Sequence, residues 1–503
     1  MFDNIIKSFE KYPDKNAFCI KNQYFTYSQL EKYIVFISEN IIKKLPVDEV
    51  FVGVLAVDDI LTYSTLLAIM FNGKAYVPIN PLFPSSRNAT VIKESGIKTI
   101  ISAVEKEKTF DICGIDTLIY YSSCINNDNN NTNFSIFNKN FSTDETPAYL
   151  LFTSGSTGVP KGVAVNRRNL FAFCDAFLDL DYNFTADDRF LQMFDLTFDL
   201  SVVSYLIPLM FGACVYTVGV SEGIKYMNVY KILYEYEITF AVMVPSIITA
   251  LKPYFEDIKL EKLKYSLFCG EALKLDIINQ WQKCVPYALI QNIYGPTEGT
   301  VVCFNYNCIP GKIKSSNGII SIGKPMKNID ALIINDDNKI IEVNEKGELC
   351  ISGAQIISGY FNNTDKNDKA FITLNYQGSD RVFYKTGDIC FKDVEGDYMY
   401  CGRTDQQIKV QGYRIEPGEI EYYAGKFDSN IEIVAVIRTN EQDNTEIVIF
   451  AQTDKSIEKE LYSFMKSTLP SYMLPSEIKL LKSFPYNSNG KINRKELTRI
   501  AAI

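Results

Sequence analysis

The 503-residue sequence contains no histidine. That absence excludes Ser-His-Asp and Cys-His catalysis, HExxH zinc sites and every other histidine-ligated metal site. General acid–base work would fall to Asp, Glu, Lys, Tyr or water. A reaction driven by positioning and charge neutralisation suits such a chain better. The twelve cysteines form no CxxC. The closest clustered pair is Cys303 and Cys308, and the rest are scattered through apolar stretches such as the one holding Cys214. They read as buried free thiols of a reducing, cytoplasmic compartment. Positive charge is not in excess: 51 Lys and Arg against 60 Asp and Glu give a net charge of −9. This disfavours a nucleic-acid binder working by bulk charge and a polybasic membrane binder, but leaves room for a local basic site for a small anion. The N-terminal stretch MFDNIIKSFEKYPDK is charged from its third residue and does not have the form of a signal peptide.

One long uncharged run, Leu200 to Ser221, is long enough to span a bilayer. Pro208 and Gly212 interrupt it, and Ser201, Ser204 and Thr217 are polar. A buried helix over 202–210, a turn and a buried strand over 213–218 explain it better.

Hydrophobic residues make up 47% and charged residues 22%, as in ordinary globular proteins, and the length allows about two to four domains. From residue 50 to about 300, short β-rich runs alternate with helical patterns: FVGVLAV (51–57), a helix at 60–71, AYVPI (75–79), RFLQMF (189–194), ITFAVMV (238–244), a helix opened by Pro245, YSLF (265–268) and ALIQN (288–292). Such alternation predicts parallel sheet covered by helices, with ligands at the loops beyond the strands' carboxyl ends. INNDNNNTN (125–133) reads as a polar low-complexity loop. From about 320 to 400, Gly-bounded runs such as GELCISG and GDYMYCG predict a small antiparallel, barrel-like part. After Arg403 the texture changes: IKVQGYRI, a helix near 417–426, IEIVAVI, EIVIFAQ, a helix near 456–467 and EIKLL make a compact α+β unit. The expected division is a large domain over 1–403 and a small one over 404–503.

The strongest chemical signal is LLFTSGSTGVPKGVAV (150–165). A buried strand runs into Thr153, Ser154, Gly155, Ser156, Thr157 and Gly158, and Lys161 follows. Glycines let backbone N–H groups close around a phosphate chain, hydroxyls add donors, and a lysine adds mobile positive charge. Gly162 follows Lys161 where a Walker A loop would have Ser or Thr.

This loop resembles that of the adenylate-forming enzymes: acyl-CoA synthetases, luciferases and the adenylation domains of peptide synthetases. FTYSQL (25–30), NGKAYVPIN (72–80), NIYGPTE (292–298), GELCISG (347–353), YKTGD (384–388), GRTDQQIKVQGYRIEPGEIE (402–421), LPSYMLPS (469–476) and NGKINRKEL (489–497) also match, in order along nearly the whole chain. The resemblance implies an ATP- and Mg²⁺-dependent ligase with the nucleotide held by residues 153–158, Lys161, Asn292, Tyr294, Gly295, Thr297, Asp388, Arg403 and Lys491. Tyr294 would stack on adenine, Thr297 would donate to the α-phosphate, Glu298 would hold Mg²⁺, and Asp388 would accept from the ribose hydroxyls with Arg403 nearby. Each has a plainer alternative: Glu298 a solvated loop carboxylate, Asp388 a turn residue, Arg403 a surface ion pair. Asp405 would be the hinge about which a mobile small domain pivots between two half-reactions, or simply a turn residue. Lys491, after the turn pair Asn489-Gly490, would enter the site for adenylation, or be a solvated lysine. In the rotated state the loop Lys409–Gly412 would line a tunnel for a pantetheine arm, glycine allowing close approach.

In FDLTFDLSV (194–202), the second Phe-Asp-Leu unit matches the segment where amino-acid-activating members keep an Asp for the α-ammonium. Asp199 is therefore the expected contact, since a buried carboxylate is costly without a cation. The alternative is a helix N-cap, and both can hold for one residue. The remaining lining would be Leu200, Val203, Met243, Leu267, Cys269, Gly270, Ile293, Val301 and Val302, an uncharged set suited to a small or medium apolar amino acid. LFCGEAL (267–273) and FDLSV resemble most the D-alanine–carrier-protein ligases, in which a cysteine lies where Cys269 falls. Cys269 alone reads equally as a small buried hydrophobe. The sequence departs from that group at Val203, Ile293, Val301 and Val302. D-alanine leads, with an aromatic amino acid or an aminobenzoate as alternatives. The sequence shows no phosphopantetheine serine, condensation or thioesterase segment after NGKINRKEL, so a monomeric, free-standing ligase serving a separate carrier protein is expected. An acyl-CoA ligase and a nucleotide-binding regulator without activity are the other readings.

Overall fold

The computed structural model describes residues 1–104, 115, 117–120, 145–155, 160–219, 225–405, 407–440, 444–486 and 492–502. The polar run 125–133 lies outside the described residues.

The molecule is a mixed α/β protein with a large N-terminal and a small C-terminal domain. Among the described residues its largest sheet has nine strands, running in order Lys324–Pro325, Phe304–Asn307, Leu289–Tyr294, Tyr265–Phe268, Phe240–Met243, Arg189–Gln192, Cys214–Thr217, Asn16–Ile20 and Gln23–Thr26. The six strands from Leu289–Tyr294 to Asn16–Ile20 are mutually parallel. Helices cross between them, which is why these strands read as continuous apolar runs. The helix Leu200–Leu209 is one such crossover, and every one of its residues is buried. Among the described residues no helix is long and apolar enough to cross a membrane.

A second sheet of six strands is parallel from Thr117–Tyr120 to Pro147–Thr153 and closes with an antiparallel pair, Pro147–Thr153 against Lys161–Asn166. The helix Ile60–Phe71 and the strand Ala75–Ile79 coincide with the sequence expectation residue for residue. Between residues 329 and 403 an antiparallel five-stranded sheet forms, including Gly347–Gly353, Ser379–Lys392 and Tyr398–Arg403. Beyond it, the hairpin Ile408–Val410/Tyr413–Ile415 leads into a three-stranded sheet of Ile433–Thr439, Thr445–Gln452 and Glu477–Leu481. The helices Pro417–Ala424 and Glu458–Thr468 cover it, with cores drawn wholly from residues 410–501. The ten described cysteines are free, and all but Cys401 are buried.

Candidate active site

The carboxyl ends of the parallel strands set the site. Leu289–Tyr294 runs into Gly295, Pro296, Thr297 and Glu298; Tyr265–Phe268 runs into Cys269 and Gly270; Phe240–Met243 runs into Val244; and Asp199 precedes the helix Leu200–Leu209. In parallel α/β sheets this edge is where ligands bind. Two cavities lie here. The larger, about 630 Å³, is bordered by Gly270, Glu271, Tyr294, Asp388, Arg403 and Lys409 among others. The smaller, about 70 Å³, is bordered by Thr153, Asp199, Leu200, Cys269, Thr297 and Val301 among others.

Sheet register explains two juxtapositions that sequence separation hides. Asp388 and Arg403 are cross-strand partners, and Arg403 Nη1 donates to Asp388 Oδ1 at 2.6 Å. The Tyr294 hydroxyl donates to the other oxygen of Asp388, so both carboxylate oxygens are oriented. Arg403 also holds Asp405, through Nε at 2.7 Å and Nη2 at 2.8 Å. It is thus half-buried between two carboxylates, the buried Asp388 and the exposed Asp405, where the plain reading had a surface pair. The second juxtaposition is Thr153 opposite Lys161: the phosphate-loop candidate is the connection of an antiparallel pair. Ser156, Thr157 and Gly158 lie outside the described residues. Ser154 is buried, and its hydroxyl donates to the Arg414 carbonyl at 2.7 Å. Thr153 Oγ1 is buried and has no hydrogen-bond partner among the described residues. Burial pulls the Lys161 ammonium below its usual range, and its nitrogen lies 3.9 Å from Glu416 and 5.3 Å from the Tyr360 ring centre. Asn292 is buried and donates to the Ser321 carbonyl at 2.9 Å.

Glu298 is fully buried in the short turn Thr297–Gly299. The Tyr360 hydroxyl donates to its Oε1 at 2.6 Å, and Arg414 Nη1 reaches both oxygens, at 3.1 and 2.8 Å. Burial alone would raise this carboxyl; Arg414 and Lys161 override it and hold it at about 2. The turn beside it is tight. A side chain on Gly295 would meet the Val302 Cα at 2.6 Å and the Val301 carbonyl at 2.7 Å. Thr300 and Val301 have φ of +57° and +67°, a region β-branched residues rarely enter. The Gln355 side chain, donating to the Val302 carbonyl at 2.8 Å, holds that wall in place.

Asp199 occupies the N-cap position but makes no side-chain capping bond. Burial pushes its carboxyl up to about 6, offset in part by the Thr297 hydroxyl and, at longer range, by Lys409. Among the described residues it has no ion-pair partner. Of the lining expected from sequence, Leu200, Cys269, Gly270 and Val301 border the small cavity, and Cys269, Gly270 and Ile293 border the large one. Val203, Met243, Leu267 and Val302 are fully buried and border neither. They pack in the core behind the wall, so the pocket is shallower than the sequence suggested. Burial pushes the Cys269 thiol up to about 12.

The hairpin tip Gln411-Gly412 has φ of +51° and +81° and reaches into the site. The Gly412 amide donates to Glu271 Oε1 at 2.7 Å, and a Cβ on Gly412 would overlap the Val244 side chain. A Cβ on Gly270 would come within 3.5 Å of the Gly412 Cα. Lys409 borders both cavities, with its nitrogen 6.0 Å from the Tyr294 ring centre. Lys491 lies outside the described residues. Sequence reading did not single out Arg87, Glu271, Tyr360, Arg414 or Glu419. Glu271, Arg414 and Glu419 lie within motifs it quoted, and a charged residue among apolar neighbours was the signal available.

The AMP-binding enzyme family model matches residues 6–361, and the chain belongs to that family. It is an adenylate-forming enzyme similar to the adenylation domains of nonribosomal peptide synthetases. It is 28% identical to zwittermicin A synthase ZmaJ of Bacillus cereus, over 97% of this chain and 93% of that protein. It is 31% identical to surfactin synthase subunit 1 of Bacillus subtilis over 89% of this chain, but spans only 12% of that much longer protein. Among solved structures it is similar to the Vibrio cholerae adenylation domain AlmE in complex with glycyl-adenosine-5′-phosphate. That match has a TM-score of 0.85 and 25% identity, over 99% of this chain and 97% of the other.

Proposed function

We propose that the protein adenylates a small amino acid, glycine or alanine, and passes it to the phosphopantetheine thiol of a carrier protein. The observation that carries this reading is Asp199: a buried carboxylate with no ion-pair partner among the described residues, bordering a cavity of only about 70 Å³ with Leu200, Cys269 and Val301. An α-ammonium supplies the missing charge. A side chain much beyond a methyl group meets a wall backed by packed core. AlmE, bound to a glycyl-adenylate, supports the same reading.

In the first step the substrate carboxylate attacks the α-phosphorus of ATP; a new O–P bond forms and the bond to pyrophosphate breaks. Thr297 and the phosphate loop orient the phosphate, Tyr294, Asp388 and Arg403 hold the nucleoside, and Lys491 adds positive charge to the developing transition state. In the second step the carrier thiol attacks the acyl carbon and AMP leaves, with Lys409–Gly412 beside the approaching arm. Mg²⁺ is commonly held by one or two carboxylates plus substrate phosphates. Glu298 suits this role by its donor chemistry once Arg414 withdraws, and the ion would neutralise phosphate charge. The test is pyrophosphate exchange with glycine, D- and L-alanine, serine, valine and an aminobenzoate. Exchange with the first three supports the reading; exchange with aminobenzoate alone would sink it while leaving adenylation intact.

A further inference from the structure

Arg87 stands in the first turn of the helix Ser85–Ser95 and is only 5% exposed. A buried guanidinium is costly without an anion, and its anion here comes from the small domain: Arg87 Nη1 is paired with Glu419 Oε1, 332 residues away. The second oxygen of Glu419 accepts the backbone N–H of Gly155 at 3.3 Å. The carboxylate is therefore held by an arginine and by the first glycine amide of the phosphate loop, a donor set that suits a phosphoryl group. Arg87 borders the same cavity as Thr153, Ser154 and Thr297, where the buried Thr153 hydroxyl has no partner among the described residues. Burial keeps Glu419 above the usual carboxylate range even beside Arg87, so a more highly charged anion can compete for this place.

We propose that Arg87 is a ligand for the pyrophosphate end of ATP, and that Glu419 is the intramolecular group that takes the phosphoryl position once pyrophosphate has left. This rests on the adenylation reading and on a small domain that moves between half-reactions. When Glu419 withdraws, Arg87 and the Gly155 amide both lose their acceptor together, beside a hydroxyl that already lacks one. A phosphate chain satisfies all three. Return of Glu419 then covers the site for thioester formation and disfavours rebinding of pyrophosphate.

Binding of magnesium pyrophosphate to the full chain, measured by calorimetry, tests this without any amino acid, so it stands apart from the substrate reading. Arg87→Gln should weaken pyrophosphate binding, and raise its KM in exchange, on the order of 10–100-fold, as expected for a lost charge-assisted contact. The KM for the amino acid should stay unchanged. Glu419→Gln should bind pyrophosphate at least as tightly as the wild type while forming thioester more slowly from supplied aminoacyl-adenylate. Wild-type pyrophosphate affinity in Arg87→Gln would overturn the proposal, as would identical behaviour of the two variants, which would make the pair a latch and nothing more. Should Arg87→Gln fail to fold, Arg87→Lys takes its place: losing the guanidinium fork must still weaken pyrophosphate several-fold, and unchanged affinity overturns the idea. Absence of exchange with every acid, alongside normal pyrophosphate binding, would count against the adenylation reading instead.

Discussion

A single nitrogen of Arg414 bonds both carboxylate oxygens of Glu298, joining the hairpin that ends at Ile415 to the turn that follows the strand Leu289–Tyr294. The carboxylate that chemistry would assign to a metal ion is thus occupied by a cation from the chain itself.

Removing that cation with Arg414→Met should leave Glu298 buried without its ion-pair partner, with only the Tyr360 hydroxyl and the more distant Lys161 to offset its charge, at a cost on the order of 3 kcal/mol in substrate-free stability. The folded-state carboxyl sits at about 2 against an ordinary 4.5. The stabilisation is therefore complete above pH 4.5 and is lost as pH falls towards 2. Chemical denaturation across that window should show the acid loss in the wild type and a shallower one in the variant. Thioester formation from supplied adenylate should fall more than pyrophosphate exchange does.

Asp199 titrates the other way. Its carboxyl is raised from 3.8 to about 6 by burial, so the folded state holds the proton more tightly than the unfolded chain. The penalty is absent below pH 3.8, grows between 3.8 and 6, and above that is roughly 3 kcal/mol. Asp199→Asn should raise the melting temperature of the substrate-free protein at pH 8, with the gain shrinking towards pH 4. The same variant should lose recognition of the α-amine, by about 2–5 kcal/mol, and a desamino acid should be little affected. Wild-type exchange that is as fast with the desamino acid would refute the contact.

Gly412 has no room for a side chain in this arrangement, because a Cβ would overlap Val244. Gly412→Ala should slow thioester formation on the order of 100-fold and spare adenylation. Lys491→Ala should do the reverse, losing aminoacyl-adenylate formation on the order of 10²–10³-fold. Single-turnover assays of each half-reaction separate the two, and equal losses in both steps would rule out the division of labour.

At Cys269, bulk should close the pocket and truncation should open it. Cys269→Ala is expected to improve exchange with the next larger aliphatic amino acids, each methylene being worth about 1–3 kcal/mol, and to relax discrimination at the α-carbon. Cys269→Leu should abolish exchange with alanine before glycine. Strong activity of the wild type with a charged amino acid would mean the pocket lies elsewhere.

Much of the fold was readable from local pattern. The strands 75–79 and 265–268 and the helix 60–71 formed where composition and punctuation placed them, because short apolar runs bounded by Gly, Pro or polar residues carry their own signal. The two-strand reading of residues 147–166 was less accessible. The phosphate loop connects antiparallel partners, and no local cue distinguishes that from a strand-to-helix turn. Pocket depth was also hidden: Val203, Leu267 and Val302 look like lining by motif position, yet close packing behind Cys269 and Val301 removes them from the cavity.

The sequence by itself determined the chemistry available: no imidazole, a hydroxyl- and glycine-rich loop with a lysine, and a carboxylate in an apolar stretch. Those are properties of residue type and near neighbours. The pairings of Arg87 with Glu419, Arg414 with Glu298 and Gly412 with Glu271 were decided only by the tertiary structure. Each joins groups more than a hundred residues apart, and burial makes an unpaired charge so costly that where the chain packs dictates which charges must meet.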